Sequence, residues 1–149
     1  MPYLDTFSGN WTANKARHLL KRTSFGITQN LTEEAVSLGL SGSITKLFEI
    51  KSLPSPPLKY DPDGLDKEQV YDPDVNYGET WVNAPPIPDL ATNQEKNKAI
   101  RARNRSLYAW TFLQMQDSGI SIREKMTLFW HNHFVSVNTN PHREFYYIN

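Results

Sequence analysis

The sequence predicts an all-α fold, an irregular multi-helix assembly broken by one long Pro-rich, aromatic-containing loop and forming an incomplete domain. Three observations predict it. Apolar residues recur at three- and four-residue spacing in the proline-poor segments. Cap-type residues precede those segments. Eight of the ten prolines gather between Lys51 and Ala91, where they exclude long helices. The expected organisation is the N-terminal part of one helical domain over 1–149, with helices over about 12–24, 31–38, 43–50, 93–117, 122–136 and 141–149. An irregular excursion fills about 51–91.

The first helix starts at Thr12, whose side-chain oxygen can cap a first-turn N–H, and carries Ala13, Ala16, Leu19 and Leu20 until Gly26 stops it. Lys21 and Arg22 fall near its C-terminus, where positive charge meets the negative end of the dipole. Asn30 and Glu33 have capping-box spacing ahead of Ala35, Val36 and Leu38, and Gly39 ends that segment. Ser41 or Ser43 caps the next, which carries Ile44, Leu47 and Phe48, so these helices form a small packed hairpin.

The excursion carries Tyr60, Tyr71, Tyr77 and Trp81 among its prolines. Aromatics on that scale predict an ordered segment lying on something, with disorder as the competing reading. Thr92 and Glu95 then repeat the capping-box spacing, and no proline or glycine follows until after Asp117. The first half of this helix is basic (Lys96, Lys98, Arg101, Arg103, Arg105) and reads as a solvated face. Its second half (Leu107, Tyr108, Ala109, Trp110, Phe112, Leu113, Met115) reads as largely buried.

Gly119 closes that helix, and Ser121 with Glu124 opens another carrying Ile122, Met126, Phe129, Trp130, His133, Phe134 and Val137. Asn140-Pro141 starts a last helix through Phe145, Tyr146, Tyr147 and Ile148. Large apolar residues so near Asn149 need cover, so the expected first partner is a C-terminal remainder of the same chain.

Composition excludes several function classes. The chain has 16 Lys+Arg and 16 Asp+Glu, so no strongly charged partner such as nucleic acid is implied. With no cysteine there is no disulfide frame, thiolate nucleophile or Cys-bound zinc. No apolar run approaches the roughly 18 residues of a membrane span, and Met1 to Asn10 lacks the pattern of a signal peptide. Gly-rich phosphate loops, Gly-x-Ser-x-Gly elbows and His-Glu-x-x-His boxes are absent.

The most specific local feature is the run from Arg123 to Phe134, with His131 and His133 inside it. Residues two apart on a helix point about 200 degrees from each other, so these two cannot chelate one ion as an i, i+4 pair does. His133 shares a face with Phe129, Trp130 and Val137 and is expected toward the core, as a satisfied buried imidazole or a site residue. His18, near Lys21 and Arg22, would complete a multi-His constellation only if the fold brought it to the same turn. Asp61, Asp63 and Asp66 offer clustered carboxylates for calcium, but the run fails the EF-hand register and equally reads as turns. No cofactor is predicted, and a divalent metal is the one compatible with these candidates.

Arg101 and Arg105, or Lys98 and Arg101, are co-facial and suited to clamp a phosphate or carboxylate. Trp81 can stack on a sugar or anchor its loop to the core. Arg22 and Trp130 complete the candidate ligand-binding residues.

Two stretches, Ala16-Arg17-His18-Leu19-Leu20-Lys21-Arg22-Thr23-Ser24-Phe25-Gly26 and Arg123-Glu124-Lys125-Met126 through Phe129-Trp130-His131-Asn132-His133-Phe134, together resemble the bacterial family called domain of unknown function 1800. Lys21 stands where that family usually has Arg. The resemblance implies a largely helical protein longer than this chain, and an extracytoplasmic, exported bacterial setting. It marks His18, Arg22, Trp130, His131 and His133 as motif positions and transfers no activity. The leading expectation is a binding or structural protein that contacts a surface polysaccharide or a protein partner. The alternative is a metal-assisted or histidine-dependent hydrolase, with His131 or His133 as ligand or general base and other site residues beyond this chain.

Overall fold

The computed structural model describes residues 7–59, 72, 74–85, 87 and 92–134. Among them the chain is all-α, with helices α1 (Ala13–Thr23), α2 (Gln29–Leu47), α3 (Asn93–Gln116) and α4 (Arg123–His133). The one β feature there is an isolated antiparallel bridge between Leu58 and Thr80. The helix expected over 141–149 lies outside the described residues. Two compact units are present: 7–51 with 115–134, and the described residues within 52–114.

In the first unit α1 packs on α2, and Ala16, Leu20, Ala35, Leu47 and Ile120 form the core. Half-buried Trp11 closes one side and donates its indole N–H to Ala35 O at 2.9 Å. The stop of α1 is Ser24 rather than Gly26. Its hydroxyl and its backbone N–H both donate to Leu20 O, at 2.7 and 2.8 Å, which satisfies a carbonyl the helix leaves open.

The start of α2 is Thr28 rather than Asn30, since the Thr28 hydroxyl accepts the Leu31 N–H at 3.2 Å. The two helices expected on either side of Gly39 are joined in α2, which breaks at that residue (φ 70°, ψ 176°). Ser43 bridges the break from inside, with its buried hydroxyl 2.9 Å from Ala35 O and 2.7 Å from Gly39 O. The Ile122 N–H donates to Leu47 O at 3.2 Å and sets the start of α4 against the end of α2. The Ser121–Glu124 box does not close as expected. The Ser121 hydroxyl takes the Arg123 N–H, and the Glu124 carboxylate pairs with the Arg123 side chain.

In the second unit the loop residues Val75, Trp81 and Val82 pack with Leu107 of α3, and Trp110 and Ala84 lean on that cluster. The buried residues of α3 are Ala99, Ala102, Arg103, Ser106 and Leu107, one stripe at helical spacing. The expectation that the whole second half of α3 is buried is corrected here. Tyr108, Phe112 and Leu113 are 66%, 71% and 52% exposed, because the described loop covers a single stripe of the helix. No helix among the described residues is long and apolar enough to cross a membrane.

Candidate functional site

The site is built on the loop that α3 holds. Lys59 N–H donates to Glu79 O at 2.7 Å and Gly78 N–H to Lys59 O at 3.0 Å, which folds the described loop segments back on each other. Gly78 makes the turn at φ 81°, a conformation that carries little cost only for glycine.

Asp72 ties the loop to α3. Its carboxylate receives a two-pronged bond from Arg103, Nε to Oδ2 at 3.1 Å and an Nη to Oδ1 at 2.8 Å, with both side chains fully buried. Lys59 Nζ lies 3.4 Å from Oδ2, donates to Val75 O at 2.7 Å and sits 4.9 Å from the centroid of the Tyr77 ring. Burial pushes the Lys59 ammonium below the ordinary lysine range. Asp72 opposes that shift, and Arg103 adds to it. Trp81, wholly buried, donates its indole N–H to Ser106 Oγ at 2.7 Å, and that hydroxyl donates to Arg103 O at 2.7 Å.

Beside this foundation lies an open groove of about 930 Å³. One wall is the proline ridge Pro54, Ser55, Pro56 and Leu58; the other is the flank of α3 from Ser106 to Gln114, including Ala109, Trp110, Phe112 and Leu113. Trp110 fastens the walls together, because its indole N–H donates to Ser55 O at 2.7 Å. Proline fixes φ at 54, 56 and 57 and biases each preceding residue toward extended backbone. The ridge thus presents a carbonyl that an indole can hold, as aromatic-lined grooves hold proline-rich segments. The lining is mainly apolar, and two of its polar groups, the Trp110 N–H and the Ser106 hydroxyl, are already bonded within the chain.

The predicted site residues scatter. His18, His131 and His133 are all exposed, so the buried imidazole expected at 133 is not found. α4 has no buried residue; its ring face is open, with Phe129 and Trp130 53% and 47% exposed. His133 instead stacks on Phe129 at 5.9 Å and meets Trp130 and Phe134 edge-on at 5.8 and 5.0 Å. Among the described residues no group of three or more His, Asp or Glu side chains stands close enough to hold a metal ion. Asp61, Asp63 and Asp66 lie outside the described residues. Arg22, Arg101 and Arg105 are exposed.

Trp81 is the loop anchor and not a stacking platform, since burial and the Ser106 bond occupy it. Arg103, expected on a solvated face, is its counterpart on α3. In the sequence Asp72 belongs to a run of clustered carboxylates and Arg103 to a basic face, and nothing there indicates that the two meet or that the Pro54–Pro57 ridge lines a groove. The signal available was Arg103 falling at i+4 from Ala99 and i−4 from Leu107, on the stripe that turns inward.

No curated protein and no solved structure matches the chain. A family model does match, over residues 18–149, a span that includes the run from Arg123 to Phe134, the proline ridge and all of α3. The chain belongs to the family described as protein of unknown function (DUF1800).

Proposed function

We propose that this chain is a binding module whose groove takes an apolar segment of a protein partner. The observation that carries this is the chemistry of the groove between the proline ridge and α3. Its volume of about 930 Å³ is walled mainly by Pro54, Pro56, Leu58, Ala109, Trp110, Phe112 and Leu113. A sugar polymer needs convergent hydrogen-bonding groups around its hydroxyls. Here the Trp110 N–H and the Ser106 hydroxyl are turned inward, to Ser55 O and Arg103 O. An apolar protein segment asks only for water to be displaced from both surfaces.

The test is isothermal titration of the 149-residue chain with two panels: short peptides bearing Leu or Phe anchors, and soluble oligosaccharides of cell-surface type. Peptide binding with a negative heat-capacity change, lost in Leu113→Asp, is the expected result. Oligosaccharide binding that the same substitution abolishes would replace the protein partner with a polymer.

A further inference from the structure

The proline wall of the groove is fastened at one end and tied at one point. At the fixed end Pro57 is fully buried, Leu58 bridges to Thr80, and the Lys59 N–H donates to Glu79 O at 2.7 Å. Before Pro57 that fastening stops. Pro54 and Pro56 have no N–H to give, and among the described residues no backbone–backbone hydrogen bond reaches Leu53, Pro54, Ser55 or Pro56. Leu53 is 89% exposed, Ser55 and Pro56 are exposed, and Pro54 is half-buried. What holds these four residues on α3 is the bond from the Trp110 indole N–H to Ser55 O.

We propose that residues 53–56 are a lid hinged at Pro57, and that the Trp110–Ser55 bond is its latch, holding the groove in a closed form that competes with the partner segment. This rests on the groove reading above and adds to it how the groove is gated. A single hydrogen bond at an exposed edge contributes little net free energy, so the lid can lift without unfolding the rest of the loop. The ties of Asp72 to Arg103 and of Trp81 to Ser106 are made by residues after the hinge, and a lifted lid leaves them whole. Lifting uncovers the Trp110 ring, which is half-buried in the closed form and lines the groove beside Ala109 and Leu113. The apparent affinity for a partner then scales with the fraction of chains whose lid is open. Breaking the latch raises that fraction.

The test uses Trp110→Phe, which keeps a ring in the groove and removes the N–H that Ser55 O accepts. The chain has no cysteine, so Ser55→Cys takes a single nitroxide label, and the latch survives because it uses the backbone carbonyl of residue 55. A second chain is labelled at Leu58→Cys, on the fixed side of the hinge. Electron paramagnetic resonance should show Trp110→Phe shifting the label at 55 toward its mobile form, changing the closed-to-open ratio by about two- to tenfold, the worth of one such bond. The label at 58 should not respond. Isothermal titration of unlabelled chains with the Leu- and Phe-anchored peptides should show Trp110→Phe binding more tightly by a similar factor. Far-UV circular dichroism verifies that the helices persist in each variant.

An unchanged spectrum at 55, or mobility rising equally at 55 and 58, would overturn the latch. Peptide binding that Trp110→Phe leaves unchanged or weakens would make residues 53–56 a fixed wall, overturning the gate and leaving the groove reading standing. No peptide binding to either form would overturn the groove reading and the gate with it.

Discussion

Asp72 is the residue whose loss the second unit should feel most. Two cations share its buried carboxylate, Arg103 by a two-pronged bond and Lys59 at 3.4 Å. Asp72→Asn removes the charge from both pairs at once and should destabilise by about 3–5 kcal/mol in urea unfolding. Lys59→Met leaves the Arg103–Asp72 fork whole and removes an ammonium that burial disfavours, a gain offset by the loss of the bond to Val75 O, so the net change should lie within about 1 kcal/mol of zero at neutral pH. The sign with pH follows. The folded pKa of Lys59 lies below its ordinary 10.5, so between the two values the unfolded chain holds a proton that the folded one lacks, and stability rises with pH in that window. Urea midpoints from neutral pH to 10.5 should therefore show Lys59→Met losing ground to the parent chain as pH rises. A difference constant across the range would show that Lys59 stays fully charged.

The N-terminus of α3 shows how far local chemistry reaches at the scale of an element. The Thr92–Glu95 box forms as its spacing predicts, with Glu95 N–H on Thr92 Oγ1 at 3.3 Å and Thr92 N–H on Glu95 Oε2 at 3.1 Å. Thr92→Ala should cost about 1 kcal/mol. The bonds from Thr92 hold the Glu95 carboxyl below its usual value of 4.5, so the contribution is present above 4.5 and is lost as pH falls through the lowered folded value. In Glu95→Gln that acid-side loss of helicity, read by circular dichroism, should be absent. The break in α2 depends on one residue, since Gly39 at φ 70° and ψ 176° occupies a region open essentially to glycine alone. Gly39→Ala should cost about 1–3 kcal/mol although a Cβ there meets open space, because the penalty is in the backbone. Gly39 was legible as a stop because glycine ends helices. The Ser121–Glu124 box was equally legible and did not form, because the neighbouring Arg123 side chain takes the carboxylate. Spacing proposes a cap, and competing partners decide whether it is made.

At the scale of the whole molecule, the largest difference between expectation and structure is the apolar half of α3. Tyr108, Phe112 and Leu113 read as core from composition, yet they are more than half exposed, and Phe112 and Leu113 line the groove from which the proposed function is argued. Leu113→Asp should change stability by no more than about 0.5 kcal/mol, measured by thermal unfolding, because the side chain already faces water. A large loss would mean that Leu113 serves the fold rather than a partner. The helical class of the chain and the start of α3 were readable from the amino-acid order alone, because periodicity and capping act over a few residues. The same order also carried enough to place the chain in its family. Only the tertiary structure decided that Asp72 meets Arg103 across 31 residues, that Trp81 meets Ser106 across 25, and that Trp110 holds Ser55 across 55. It likewise decided which face of α3 and of α4 is left to solvent. The physical reason is that a helical repeat encodes an apolar face without encoding what covers it, and burial depends on surfaces brought together from distant parts of the chain.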